Sequence, residues 1–274
     1  MSGSNGVSET PVPRRLLNAV AALIGIWLIL PLAIIVPISF SGEDSFRFPP
    51  RQWTLSRYAS LADPTWYTAF LNSCLIAGLV ALASAVFGVL VAFALTRSRS
   101  HVMSVLRAVV LAPQVVPIIV FGLGLYLVFL RWNITGTLLG FVIGHTVLAI
   151  PFVVVPVSAA LETFDRNLER ASASLGAGPV STFFQITFPI IRPAVLSGAF
   201  LAFLASFDEL VLALFLKSPS YYTLPVLLYR RMTDSIDPTV AAVATIELVI
   251  VSGCVIAALV FQSRELRRSP LRHG

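Results

Sequence analysis

Residues 162–193 read ETFDRNLERASASLGAGPVSTFFQITFPIIRP, a polar stretch set between strongly apolar segments. Asn167 to Leu175 has the composition of a short helix, and Gly176 and Gly178 break it. A second amphipathic half follows, closed by Pro189 and Pro193. A connection between two membrane spans need only be short and polar. This one is laid out as a short helix lying outside the membrane and offered to something else.

The flanking composition supports that setting. Hydrophobic residues make up 57% of the 274 and charged residues 12%, whereas soluble domains carry about 25% charged residues. A spanning helix needs about 20 mostly apolar residues. Six stretches qualify, at 16–40, 68–96, 104–130, 137–161, 194–216 and 239–262. The reading is an all-α membrane protein with six transmembrane helices and no soluble domain large enough to hold its own core.

Lys and Arg set the orientation. Arg14, Arg15, Arg97, Arg99, Arg107, Arg166, Arg170, Arg192, Arg264, Arg267, Arg268 and Arg272 fall on one side, twelve in all. Arg47, Arg51, Arg57, Arg131, Lys217, Arg230 and Arg231 make seven on the other. Both termini and the 162–193 loop are therefore expected in the cytoplasm. The net charge of +6 follows from this bias and gives no sign of a nucleic-acid partner. The first apolar run is too long for a signal-peptide core and reads as an uncleaved anchor. Residues 1–13 are polar and read as a disordered tail, with 266–274 as a second tail.

Between the spans, Ser41 to Tyr67 forms an external loop whose Trp53, Tyr58, Trp66 and Tyr67 read as an interfacial belt. In the external segment 217–238, Ser218-Pro219-Ser220 makes a turn, Tyr221 to Arg231 is amphipathic, and Asp237-Pro238 signals a helix start. Pro113 and Pro117 in the third span, with Pro151 and Pro156 in the fourth, are expected to bend their helices, either along a pathway or for packing alone. Cys74 and Cys254 read as small packing residues. His101, His145 and His273 lack companions at metal-ligand spacing, so neither metal nor cofactor is expected.

Three acids fall inside expected spans: Asp208, Glu209 and Glu247. An acid at the bilayer centre costs at least about 2.5–3.5 kcal/mol, so such residues face a cavity or a partner charge. Asp208 and Glu209 lie about 100° apart on a helix and point in different directions. These three are the candidate solute-pathway residues, the alternative being acids hydrogen-bonded to backbone or water. A phosphate-gripping G-x-x-x-x-G-K-[ST] loop is missing, and Lys217 is the sole lysine. G-x-S-x-G and H-E-x-x-H are missing as well, which leaves an enzyme reading without chemistry.

The 162–193 stretch resembles the EAA loop of binding-protein-dependent ABC importer permeases, which reads E-A-A, three residues, Gly, nine residues, I-x-L-P. Aligned on Gly176, Ala171 takes the second position, Ser172 the third, Ile186 and Pro189 their expected places, and Phe188 replaces leucine. The departure is at the first position, which holds Arg170, with Glu169 one residue earlier. Asn72-Ser73, Gly122-Leu123-Gly124, His145 with Pro151 to Val154, Ser206 to Glu209, Pro219 to Tyr221, Leu224-Pro225 and Tyr229 are similar to the spermidine/putrescine permease group, C-type subunit.

The resemblance implies a type I importer permease fold over residues 14–265, with 167–176 as a cytoplasmic coupling helix. It implies a second homologous permease, two cytoplasmic ABC ATPase subunits and an extracytoplasmic solute-binding protein. The setting would be a bacterial cytoplasmic (inner) membrane. Contact with the ATPases would fall to Glu169, Arg170, Ala171, Gly176, Ile186 and Pro189, the usual glutamate contact going to Glu169 or to Arg170. The solute expected is a small cation of the polyamine class. Alternatives are an importer for another small solute (an amino acid derivative, an opine or ferric iron) or an ion-coupled secondary transporter using Asp208 and Glu247 as relay carboxylates.

Overall fold

A computed structural model of the chain describes residues 14–98, 100–234 and 237–268. The expected tail 1–13 and residues 269–274 of the second tail lie outside the described residues. The helices are α1 (Arg14–Ser39), α2 (Ser56–Ala59), α3 (Pro64–Arg97), α4 (His101–Leu111), α5 (Ile118–Arg131) and α6 (Leu138–Glu162). They continue as α7 (Asn167–Ser174), α8 (Pro179–Thr182), α9 (Phe188–Phe207), α10 (Val211–Leu216), α11 (Leu224–Asp234) and α12 (Thr239–Arg268). No β-strand occurs among the described residues, only an isolated bridge between Ser41 and Trp53.

The chain forms two compact units, one running from Asp63 to Arg230 and the other holding α1, α2 and α12. In the latter, α1 packs on α12. Leu23, Trp27 and Ile29 stand exposed on α1, the surface of a helix whose solvent is lipid. The loop after it is tied down by Arg57, which donates from Nη2 to Asp44 Oδ1 at 2.8 Å and to Glu43 O at 2.9 Å. Tyr58 shares a 2.7 Å hydrogen bond with Ser39, and Trp53 is exposed. Asp237 Oδ1 accepts from the Thr239 N–H at 2.9 Å, the helix start that Asp237-Pro238 signals.

The larger unit is built on α3, α6 and α9, each packed on the other two. Ile76, Val80, Val153, Val157, Ile191 and Ala202 meet in its core. Close approach depends on two glycines. A Cβ at Gly88 would stand 2.7 Å from Val153 Cβ, and one at Gly198 2.8 Å from Val153 Cα and 2.9 Å from Phe152 O. His145 on α6 and Ser206 on α9 share a buried 3.0 Å hydrogen bond across the same interface. Asn72 Nδ2 donates to Tyr222 O at 3.0 Å, and Ser73 Oγ accepts from the Leu224 N–H at 2.8 Å. The external segment before α11 is thus pinned to the start of α3. Trp66 is 5% exposed there, a packed position rather than the interfacial one expected of it.

Proline chemistry redraws two expected spans. Pro113 sits in a 3₁₀ turn and Pro117 precedes α5, and the two helices meet at 104°. The expected continuous span 104–130 is therefore broken, because neither proline has an N–H to carry the ladder across the joint. By contrast α6 runs through Pro151 and Pro156 without a break. The expected fifth span starts early: Pro179 to Phe207 is one helix of 29 residues with Pro189 and Pro193 inside it, so neither proline closes the loop. That helix stops at Asp208, and α10 is separate. Among the described residues four helices are long and apolar enough to cross a membrane, five with the bent pair, and the sixth expected span corresponds to α12, whose apolar part is Thr239–Gly253.

The glycine contacts generate a test. Gly198→Ala should lower the thermal unfolding midpoint of the purified, detergent-solubilised protein, by an overpacking cost of about 1–3 kcal/mol. Gly253→Ala, where a Cβ meets nothing within 4 Å, should leave the midpoint near wild type.

Candidate coupling site and broken span

The loop between α6 and α9 is folded by local rules at each step. Asp165 Oδ1 accepts from the Asn167 N–H at 2.9 Å and starts α7. At the other end, Gly176 N–H donates to Ala173 O at 2.9 Å and Ala177 N–H to Ser172 O at 3.2 Å. Gly176 has φ +86. This is the paired bonding of a Schellman C-cap, which places the residue after the cap in the left-handed region where only glycine is unstrained. Pro179 then opens α8 at a position where no N–H is needed.

From Phe183 to Thr187 the helix widens into a π-turn, in which the Phe188 N–H donates to Phe183 O. Pro189 supplies the cause. It has no N–H for the Gln185 carbonyl, and its ring crowds that carbonyl, so the ladder lengthens by one residue. The wider turn buries Thr187, whose Oγ1 donates to Glu169 Oε1 at 2.6 Å. Arg97, the last residue of α3, donates to the same oxygen at 2.5 Å. Arg166 Nη2 donates to Thr96 O at 2.8 Å, and Ser172 and Thr182 share a 3.0 Å bond. The Arg97 guanidinium lies 5.3 Å from the centre of the Phe93 ring, and Phe93 meets Phe183 edge-on at 5.4 Å. Phe93, Arg97, Glu169, Ala173 and Phe183 line an open cleft of about 440 Å³.

Hydrogen bonding by Arg97 holds the Glu169 carboxyl below its ordinary 4.5, against a partial desolvation that pulls the other way. A carboxylate with a depressed value contributes stability above its unfolded value, and that contribution is lost as pH falls through the lowered one. The pair therefore stays ionised across neutral and mildly acidic pH.

The rest of α7 turns outward. Leu168, Arg170 and Ala171 are exposed, and Leu175 is 89% exposed. Leu168, Ala171 and Leu175 follow the i, i+3, i+7 spacing of one helix face. An apolar stripe on an otherwise polar helix makes this face a candidate interaction surface. Ile186 is half-buried and Pro189 exposed. Of the residues expected to meet an ATPase, Arg170, Ala171 and Pro189 thus lie at the surface, Gly176 shapes the helix end, and Glu169 points into its own chain.

The three acids separate. Asp208 caps the C-terminus of α9 and is exposed. Glu209 Oε1 accepts from the Leu212 N–H at 3.0 Å and so caps the start of α10. Glu247 lies half-buried on α12, in the other compact unit. No ion pair to Asp208 occurs among the described residues, and no group of three or more metal-ligand side chains occurs among them either.

The family model described as "Binding-protein-dependent transport system inner membrane component" matches residues 84–267. The chain belongs to that family. This inner-membrane component is 32% identical over 251 residues to the putrescine transport system permease protein PotI of Escherichia coli K12, covering 88% of this chain and 89% of that protein. It is 30% identical over 248 residues to the spermidine/putrescine transport system permease protein PotC of the same strain, covering 90% and 94%. PotC of Haemophilus influenzae is 29% identical over 237 residues, 85% of this chain and 91% of that protein. A crystal structure of a bacterial ABC transporter involved in the import of the acidic polysaccharide alginate superposes with a TM-score of 0.70, covering 94% of this chain and 99% of that one. At 17% identity it shows the fold, that of an ABC transporter permease. The inner-membrane component is thus a multi-pass transport permease.

Reading the sequence missed Arg97, Thr187, Leu168 and Leu175. Leu168 and Leu175 carried a signal, their spacing on a polar helix. The 72-residue separation of Arg97 from Glu169 carried none.

The helix end can be tested directly. In Gly176→Ala the left-handed backbone should cost about 1–2 kcal/mol. Amide exchange at residues 175–177, read by mass spectrometry, should speed up by about tenfold, while α6 and α9 keep their protection.

Proposed function

We propose that this chain is one of two membrane subunits of an ATP-driven importer for a small cationic solute of the polyamine class. The observation that carries the cationic part is the break at Asp208. There an exposed carboxylate and the C-terminal carbonyls of α9 concentrate negative charge at one point of a membrane segment. A polyamine supplies the positive charge such a point attracts. The names of the PotI and PotC relatives point the same way. Glu209, as the cap of α10, holds the break open, and Glu247 is a second pathway acid.

Energy comes from outside the chain, since it has no phosphate loop. In this reading two ATPase subunits dock from the cytoplasm, where both termini also lie, one on this chain and one on a homologous permease. Leu168, Arg170, Ala171 and Leu175 form the docking face. Gly176, Ile186 and Pro189 shape the loop that presents it. An extracytoplasmic binding protein delivers the solute. Closure of the ATPases on ATP turns the permease pair from inward- to outward-facing, a rigid-body alternation about a fixed passage. Residues 14–265 act as one permease domain between short tails.

Two measurements test this. Leu175→Asp should weaken co-purification of the ATPase subunit by about tenfold or more, as loss of a buried anchor does. Unchanged recovery of the ATPase would remove α7 from the interface. Asp208→Asn should cut uptake of labelled putrescine or spermidine by about tenfold while the complex still assembles. Full uptake in that variant takes Asp208 out of the passage. Uptake that collapses with a protonophore and survives ATP depletion would point to ion-coupled transport instead.

A further inference from the structure

The coupling loop contains a second device, separate from its docking face. Glu169 stands where a glutamate contact with an ATPase is expected, but its carboxylate is turned the other way. Its Oε1 takes both the Arg97 guanidinium and the Thr187 hydroxyl, and its side chain is only 17% exposed. Arg97 is itself held over the Phe93 ring, which leans on Phe183 of the π-turn. Arg166 adds a bond to the last turn of α3 through Thr96 O. Four parts of the chain converge here: the end of α3, the first turns of α7, the π-turn, and through it α9.

We infer that Glu169 is a positioning residue that clamps the coupling helix to α3 and to the base of α9, and that it does not contact the ATPase. The reasoning is geometric and chemical. A carboxylate that accepts two short hydrogen bonds, one from a guanidinium, gives up both to reach another subunit. The face of α7 that remains free is the one bearing Leu168, Ala171 and Leu175, about 100° or more around the helix from Glu169 for Leu168 and Leu175. The two faces divide the work. One receives the displacement, and the other passes it to α3 and α9, which with α6 form the packed core. A coupling helix without the clamp still docks, but it swings on its Gly176 end rather than carrying the bundle with it.

This inference rests on the transporter reading above, and its first test does not depend on that reading. In a background with Cys74→Ala and Cys254→Ala, nitroxide labels at Ser98→Cys and Ser174→Cys report the separation of α3 and α7 by electron paramagnetic resonance. The clamp predicts one narrow distance distribution, broadened by Glu169→Gln and by Arg97→Gln, and narrowed again when Arg97→Glu is combined with Glu169→Arg. A distribution unchanged by Glu169→Gln overturns the clamp.

The second test uses the full transporter purified from native membranes with its ATP-hydrolysing subunit. Glu169→Gln should keep that subunit bound at the wild-type ratio, while ATP hydrolysed per solute imported rises by about tenfold. Thr187→Val should shift the ratio in the same direction, and Thr187→Ser should restore it. Loss of the ATPase subunit from Glu169→Gln in step with lost uptake makes Glu169 a docking contact and overturns the inference. A wild-type chain that retains no ATPase subunit overturns the transporter reading instead, and leaves the resonance result standing.

Discussion

A backbone inside a bilayer has no water to bond, so every place where a helix stops must be prepared chemically. The departures from straight helix in this chain follow that constraint. Between α4 and α5 the joint falls at Pro113 and Pro117, which withdraw two donors and let the axis turn through 104°. Pro189 withdraws another and forces a π-turn rather than a break. Between α9 and α10 no proline is present. Instead Glu209 supplies an acceptor for the freed Leu212 N–H, and the cost of the break is met by a side chain.

Those irregularities are where the candidate functional groups sit, and the regular parts explain why they stay in place. Around Val153 the backbones of α3 and α9 come close enough that Gly88 and Gly198 admit no Cβ. Such packing is stiff and has few ways to yield. In the proposed cycle a displacement entering at α7 would move the three-helix core as a body rather than dissipate within it. The His145–Ser206 bond fixes α6 to α9 near the same end as the Asp208 break. The end of the 162–193 loop and the Asp208 break are thus joined by one continuous helix, Pro179 to Phe207.

Much of this was legible from the residues alone. Long apolar runs place α3 and α6, and the Gly176 break with its helix before and amphipathic half after reads directly from composition. Of the proposed docking face, alignment to a known loop points to Arg170 and Ala171, while Leu168 and Leu175 come from their exposure on α7. What escaped did so for physical reasons. Pro113 and Pro117 give the same apolar profile whether the helix is bent or broken, because hydropathy does not record direction. Pro193 reads as a stop, yet a helix continues through proline where neighbouring helices and a shifted ladder satisfy the freed carbonyl. Trp66 has the composition of an interfacial residue and the burial of a core one, a difference that only packing decides. Glu169 shows its charge in the sequence and hides its direction, since its partner Arg97 lies at the far end of another span.

The π-turn at Phe183–Thr187 has one more consequence. Such a turn is a single extra residue absorbed within a helix, so the faces before and after it line up as though that residue were absent. The helix before Phe183 and the helix from Phe188 onward therefore keep a common register, with Gly198 facing Val153 and Ser206 facing His145, while Thr187, inside the turn, is carried round to Glu169. The packing of the bundle and the loop clamp are in that sense written in separable parts of the same helix.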